Sequence, residues 1–271
     1  MRFSWREAAG TWLILAALLG GSFSAKAEDE KPLDPQVIKD LITANRILAN
    51  EGVVDAFGHV SIRDPRNPNH YLQTRSVAPY LATEKDVLVF DLDGNPVDPT
   101  VKCGCYLERF IHGEIYKLRP DVNAVIHTHS ATVVPFSDVP GSPLKPILHS
   151  AAFLPPDGAP VFDLHKDFGA TNMLIHTNAM GKALAQALGK SSVVLIRGHG
   201  DAVVGSTIKT AVWRAYYTEV DARMLIAAHT LGGPIVSLFP DEAAITDLEM
   251  QSAVSINRAW DMWAQRLPKQ P

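Results

Sequence analysis

The stretch Asn123-Ala-Val-Ile-His127-Thr-His129-Ser130 decides how this chain reads. Its apolar run, Ala124 to Ile126, has the pattern of a strand, and the strand ends on two histidines. In extended backbone, residues two apart project to the same side. His127 and His129 therefore offer both imidazoles to one cavity. A His-x-His pair alone leaves two readings open, because a histidine at a strand end is also an ordinary hydrogen-bonded polar residue. Two further groups complete a ligand set: Glu108 upstream, and His199 downstream in Arg197-Gly-His-Gly200. His199 follows the apolar run Val193 to Ile196, and its flanking glycines let backbone approach a bound ion or substrate closely. Three imidazoles and a carboxylate suit Zn²⁺ or another divalent transition ion.

Upstream of that stretch, Tyr106 to Leu118 has helical spacing. Leu107, Ile111 and Ile115 share one face, and Glu108 and His112, four apart, share another. This placement lets Glu108 point at the His127/His129 strand across the return at Arg119-Pro120-Asp121. His112 reads as a supporting or structural residue. Asp34-Pro35 marks a helix start, continued by Val37, Ile38, Leu41, Ile42 and Leu48 up to Gly52. Asp55 to Arg63 reads as a turn into a strand, Asp64 to Asn69 as a hairpin-like loop, and Tyr71 to Gln73 and Val87 to Phe90 as further strands.

Downstream, Pro135 to Asp167 is rich in Pro and Gly and reads as loops and short strands over a site. His149 and His165 within it read as surface or structural residues. Asn178 to Leu188 is an expected helix ending at Gly189. Ser206 is the expected cap of a long helix reaching about Leu231, and a last helix is expected over Asp241 to Arg266. No internal repeat is visible.

A length of 271 residues suits one substantial domain, and 46% hydrophobic with 20% charged residues supports a sizeable core. The formal charge of −4, with no basic run, argues against a nucleic-acid partner. Residues 1–27 have the pattern of a cleavable signal peptide: Arg2 and Arg6, the apolar stretch Trp12 to Leu19, then Ala25-Lys26-Ala27. The apolar stretch is short for a span of about 20 residues. Its removal leaves 28–271 as a single domain with a formal charge of about −6, working outside the cytoplasm as a secreted or periplasmic protein. No other stretch is long and apolar enough to cross a bilayer, so no stable membrane insertion is expected after cleavage. Cys103 and Cys105 are separated by one glycine. A disulfide there is geometrically strained yet allowed in an oxidising compartment; a thiol pair binding metal is the alternative. Both cysteines read as non-catalytic.

From about Val37 to Leu238 the chain resembles the class II aldolase/adducin superfamily. The carriers are Gly58-His-Val-Ser-Ile-Arg63; Glu108 with His112 and Tyr116; Arg119-Pro-Asp-Val-Asn-Ala-Val-Ile-His-Thr-His129; and Gly198-His-Gly200 with Val203-Val204-Gly205. The resemblance implies an α/β fold of three layers, α/β/α, with a central, mostly antiparallel sheet. It implies a divalent metal, Zn²⁺ first and Mn²⁺ as another option, on His127, His129 and His199. It implies Glu108 as acid/base at that metal, and a homotetramer with active sites near subunit boundaries. Members acting on sugar phosphates carry Ser-Ser before the glutamate and small residues in the loop matching Thr74 to Val77. Here Tyr106-Leu107 precede Glu108, the loop holds Arg75-Ser76, and His59 replaces the usual asparagine. The pattern looks more like the branch of hydroxylated aromatic or pyridine dicarboxylate decarboxylases.

These residues point to a carbon–carbon lyase, of the aldehyde-lyase or decarboxylase type, acting through a metal-stabilised enolate on a small carboxylate- or hydroxyl-bearing substrate. Glu108 moves the proton; Arg75, Ser76 and His59 are the expected substrate contacts. Arg75 has a planar fork suited to a carboxylate, or it forms a structural salt bridge. Tyr216 or Tyr217 is a further proton-donor candidate, with core packing as the plainer role. A non-catalytic adducin-like module or a secreted metal-binding protein is the rival class.

Overall fold

The computed structural model describes Met1, residues 32–102 and residues 104–268. Residues 2–27 of the expected signal peptide and Cys103 lie outside the described residues. Within the unit Leu33–Pro271 the elements run in this order. Helix α1 (Pro35–Asn50) is followed by strands β1 (His59–Arg63), β2 (His70–Thr74) and β3 (Val87–Asp91). Helix α2 (Arg109–Leu118) leads into β4 (Ala124–Thr128), and the short α3 (Pro135–Asp138) precedes β5 (Val161–Phe162). Then come α4 (Leu164–Phe168), α5 (Asn178–Leu188), β6 (Val193–Ile196), β7 (Gly200–Gly205), α6 (Ile208–Leu231), α7 (Pro240–Met250) and α8 (Ala253–Arg266).

The strands form one seven-stranded sheet in the order β3-β2-β1-β4-β7-β6-β5. Every pairing is antiparallel except β5 with β6. Strand β4 sits at the centre, and alternation divides its side chains. Ala124 and Ile126 enter the core shared with α1, α6 and α8, while Val125 enters the core shared with α2 and α5. β6 alternates in the same way, Val193 and Leu195 to one side, Val194 and Ile196 to the other. The two cores make the molecule three-layered, as expected. Each buried aliphatic side chain contributes roughly 1.5–3 kcal/mol, so a sheet covered on both faces is the main source of stability.

Local chemistry sets the helix ends. Asp34 caps α1 by accepting from the Gln36 N–H at 2.9 Å, with Pro35 in the first turn. Three expectations change. The cap of α6 is Thr207, not Ser206: its side chain accepts the Thr210 N–H. The last helix is two, because the Ser252 side chain accepts the Ser255 N–H and starts α8 afresh. Residues 106–108 are not helical, and Leu107 is exposed rather than on the buried face of Ile111 and Ile115. There the Tyr106 ring packs on His59 and its hydroxyl bonds the Val77 carbonyl, which holds that segment away from the helix axis. No helix of the described residues is long and apolar enough to cross a membrane.

Candidate metal centre and active site

His127 is the fourth residue of β4, and His129 stands just beyond the strand end. His199 comes from the turn between β6 and β7, which returns the chain beside β4. That turn depends on its glycines. Gly198 has φ +63, and a Cβ on Gly200 would lie 1.9 Å from the Thr128 carbonyl oxygen. The register pairs His127 with Ala202 and Thr128 with Asp201. The result brings all three Nε2 atoms together: His129 Nε2 is 3.0 Å from that of His127 and 3.0 Å from that of His199.

The other ring nitrogens define what these Nε2 atoms carry. His127 Nδ1 lies 2.7 Å from the Asp201 carbonyl oxygen and His199 Nδ1 lies 2.9 Å from the Met173 carbonyl oxygen. A carbonyl only accepts, so both Nδ1 atoms bear a hydrogen, and in the neutral rings both Nε2 atoms present lone pairs. Two lone pairs thus face a third ring nitrogen. One imidazole hydrogen satisfies at most one of these contacts; a cation among the three satisfies all. Carbonyl support of this kind also orients ligating histidines. Met173 has φ +66, the one non-glycine residue with positive φ among those described, so a strained backbone delivers that carbonyl.

Glu108 lies not in helix α2 but at its N-cap position, where its side chain makes no capping bond. It turns towards the histidines instead. Its Oε2 is 3.4 Å from Nε2 of His127, 3.4 Å from that of His199 and 3.9 Å from that of His129. Its Oε1 accepts the Ile175 N–H at 2.9 Å. Burial alone raises the Glu108 pKa, but the three imidazoles outweigh it and hold the carboxyl well below its usual range. Burial lowers His127, against the pull of Glu108. Burial also works to lower His199, but there the Glu108 carboxylate prevails and the pKa rises. The ligand atoms of Glu108, His127, His129 and His199 all lie within 4.8 Å of one another. Three bare or orientable imidazoles and a buried carboxylate fit a divalent cation.

A cavity of about 320 Å³ opens beside this cluster, with Glu108 and His129 in its wall. A larger depression of about 580 Å³, near Lys166 and Arg197, contains none of the four cluster residues, so the smaller one is the cavity that adjoins the candidate metal centre. His59 and Ser76 line the smaller cavity; Arg75 does not. Arg75 Nε pairs with Asp86 Oδ1 at 2.6 Å, the structural role that its sequence position left open. Tyr216 and Tyr217 pack around Trp213 and Trp263 in the core. His149 and His165 do not line the cavity. Cys105 is disulfide-bonded and stands outside the metal cluster.

The model described as the class II aldolase and adducin N-terminal domain matches residues 39–226. The chain belongs to this family. Among class II aldolase relatives, it is 34% identical over 253 residues to the decarboxylase tropJ of Talaromyces stipitatus, covering 85% of this chain and 93% of that protein. It is 28% identical over 230 residues to the 3,4-dihydroxyphthalate decarboxylase of Arthrobacter keyseri, covering 80% and 88%. The L-fuculose 1-phosphate aldolase structure from Glaciozyma antarctica superposes with a TM-score of 0.68 at 26% identity, covering 86% and 88%. A class II aldolase domain with relatives that are decarboxylases and aldolases, and with a Glu/His₃ cluster, is a metal-dependent lyase.

In this class II aldolase chain, several working parts carry no sequence signal. Ile175 acts through its N–H, and Met173 and Asp201 through their carbonyls; every residue but proline has these groups. Ser61 is different. It alternates with His59 along β1 and so shares its side, a relation legible from spacing alone.

Proposed function

We propose that the protein is a carboxy-lyase for a hydroxylated aromatic acid. The observation that carries this reading is the cavity wall. Phe57, Val77, Tyr106, Leu107 and Leu174 give it flat and apolar surfaces, and among the described residues no lysine or arginine lines it. Such walls suit a planar ring and offer a phosphate no cationic partner. The names of the two decarboxylase relatives support the same reading.

His127, His129 and His199 would hold a divalent cation, Zn²⁺ foremost, which would supply Lewis-acid chemistry beside the cavity. Glu108 takes the proton of the substrate's phenolic hydroxyl. It returns that proton to the ring carbon as the carbon–carbon bond breaks; the bond's electron pair passes into the ring to give a phenolate, and neutral CO₂ leaves. The phenolate product then regains a proton from solvent. Glu108 thus serves as base and acid in turn, and its ionised resting state favours the first role. His59 and Ser76 hold the substrate's oxygens within the cavity. Arg75, tied to Asp86, stays a candidate only for a longer substrate reaching the rim. Phe57 and Leu107 are exposed beside the cavity mouth, 65% and 60%, which suits cover by another subunit in a homotetramer. Cleavage after Ala27 would release residues 28–271 outside the cytoplasm.

The test is an assay of metal-loaded protein on 3,4-dihydroxyphthalate and dihydroxybenzoates, beside L-fuculose 1-phosphate. CO₂ release from the aromatic acids with no turnover of the sugar phosphate supports the carboxy-lyase. Turnover of the sugar phosphate alone moves the protein to retro-aldol chemistry.

A further inference from the structure

Beneath the cavity runs a buried line of four polar side chains. His59 Nδ1 is 2.6 Å from His112 Nε2, His112 Nδ1 is 2.6 Å from Ser61 Oγ, and Ser61 Oγ is 2.8 Å from Tyr116 OH. His112 and Ser61 are wholly buried, Tyr116 and His59 nearly so. Each imidazole carries at least one hydrogen, and so does each hydroxyl. The four groups then own at least four hydrogens for three contacts. The fourth must leave the line at one end.

The Tyr116 end cannot take it. Among the described residues the one acceptor for the Tyr116 hydroxyl is Ser61 Oγ; its other polar contact, from the Val125 backbone, lowers the phenol pKa, as a donor does. Leaving a buried O–H without an acceptor costs about 1–3 kcal/mol. Tyr116 therefore donates to Ser61, Ser61 to His112 Nδ1, and His112 Nε2–H to His59 Nδ1. The fourth hydrogen falls on His59 Nε2. Among the described residues that atom has no hydrogen-bond partner, and it belongs to a residue lining the cavity. The Gln73 amide nitrogen, 3.4 Å from His59 Nδ1, adds a weaker donor to the same side of the ring.

We infer that the Tyr116–Ser61–His112 line locks His59 as its Nε2–H tautomer, a permanent neutral donor aimed at an anionic substrate oxygen, carboxylate or phenolate. His59 binds substrate; the other three are positioning residues. The ligand class rests on the aromatic-acid reading above, whereas the tautomer rests on the hydrogen count alone. As a neutral donor, His59 recognises an oxygen without competing for the cation.

The test uses full-length protein with ¹⁵N-labelled histidine, in long-range ¹⁵N–¹H correlation spectra; His59→Gln identifies the His59 signals by their loss. The expected wild-type result is hydrogen on Nε2 and a bare Nδ1. Hydrogen on Nδ1, or on both nitrogens, overturns the inference. Ser61→Ala cuts the line, and the Nδ1–H form of His59 should appear beside the Nε2–H form; an unchanged spectrum in a folded variant overturns the role of the line. Adding 3,4-dihydroxybenzoate to the zinc-loaded protein should shift the His59 Nε2–H signal. A shift confined to His127, His129 and His199 overturns the assigned ligand contact. If the acid shifts neither set, the aromatic-acid reading fails while the tautomer result stands by itself.

Discussion

The Glu108 carboxylate and the Ile175 amide are joined by a 2.9 Å hydrogen bond that makes the two carboxylate oxygens unequal. Oε1 is committed to the backbone, and Oε2 is turned to His127 and His199 at 3.4 Å each. The same short segment supplies the Met173 carbonyl that orients His199. One loop thus aims both the proposed acid/base group and a proposed metal ligand. Replacing Ile175 by Pro removes the N–H and leaves Oε1 buried without its donor. We expect kcat to fall roughly tenfold or more with metal content preserved, while Ile175→Val, which keeps the N–H, stays near wild type. Equal activity in the two variants would deny the bond a role.

Glu108→Gln keeps an oxygen for Ile175 but cannot carry a proton between substrate atoms. Activity should drop by roughly 10²–10⁴-fold with most of the metal retained. Rate measurement alongside elemental analysis of the same sample checks this. An active Gln variant removes Glu108 from the chemistry.

Substituting His127, His129 or His199 by Ala removes one of three converging ligands. Bound metal and activity should fall together, and chelation of the wild-type protein should reproduce the loss, with recovery on returning a divalent ion. Full activity in metal-free protein would end the lyase mechanism drawn above.

Gly200→Ala places a methyl group 1.9 Å from the Thr128 carbonyl oxygen, between β4 and β7. No side chain can yield there, so backbone must. A stability loss of about 3 kcal/mol is expected in urea unfolding, with weaker metal binding because the shift separates His199 from His129. An unperturbed variant would mean that the two strands tolerate separation.

Asp221 is a buried carboxyl on α6 that accepts the Ile147 and Leu148 N–H groups, both at 2.9 Å. Burial outweighs those donors and pushes its pKa up to about 6. With the unfolded value near 3.9, the folded state binds this proton more tightly. The stabilisation is complete below about pH 4 and is lost as pH rises through about 6. Asp221→Asn mimics the protonated form. Its stability relative to wild type should improve by roughly 1–3 kcal/mol between pH 4 and pH 8. A pH-independent difference would contradict the raised pKa.

Sequence by itself determined the strand that ends in His127 and His129, the third imidazole in its glycine turn, and the carboxylate at Glu108. Period-two alternation and residue chemistry are local, so spacing along the chain carries them. It also placed α1 and α5 through their caps. Three-dimensional packing decided the rest. Tyr106 packing on His59 holds Glu108 out of the helix at its N-cap, and Asp86 pairs with Arg75, contacts between separate segments of the chain. The Ile175 amide and the Met173 and Asp201 carbonyls became working parts only because folding carried them to the site. A backbone amide or carbonyl is nearly identical in every residue, so its role depends on position in space and leaves no mark in the sequence.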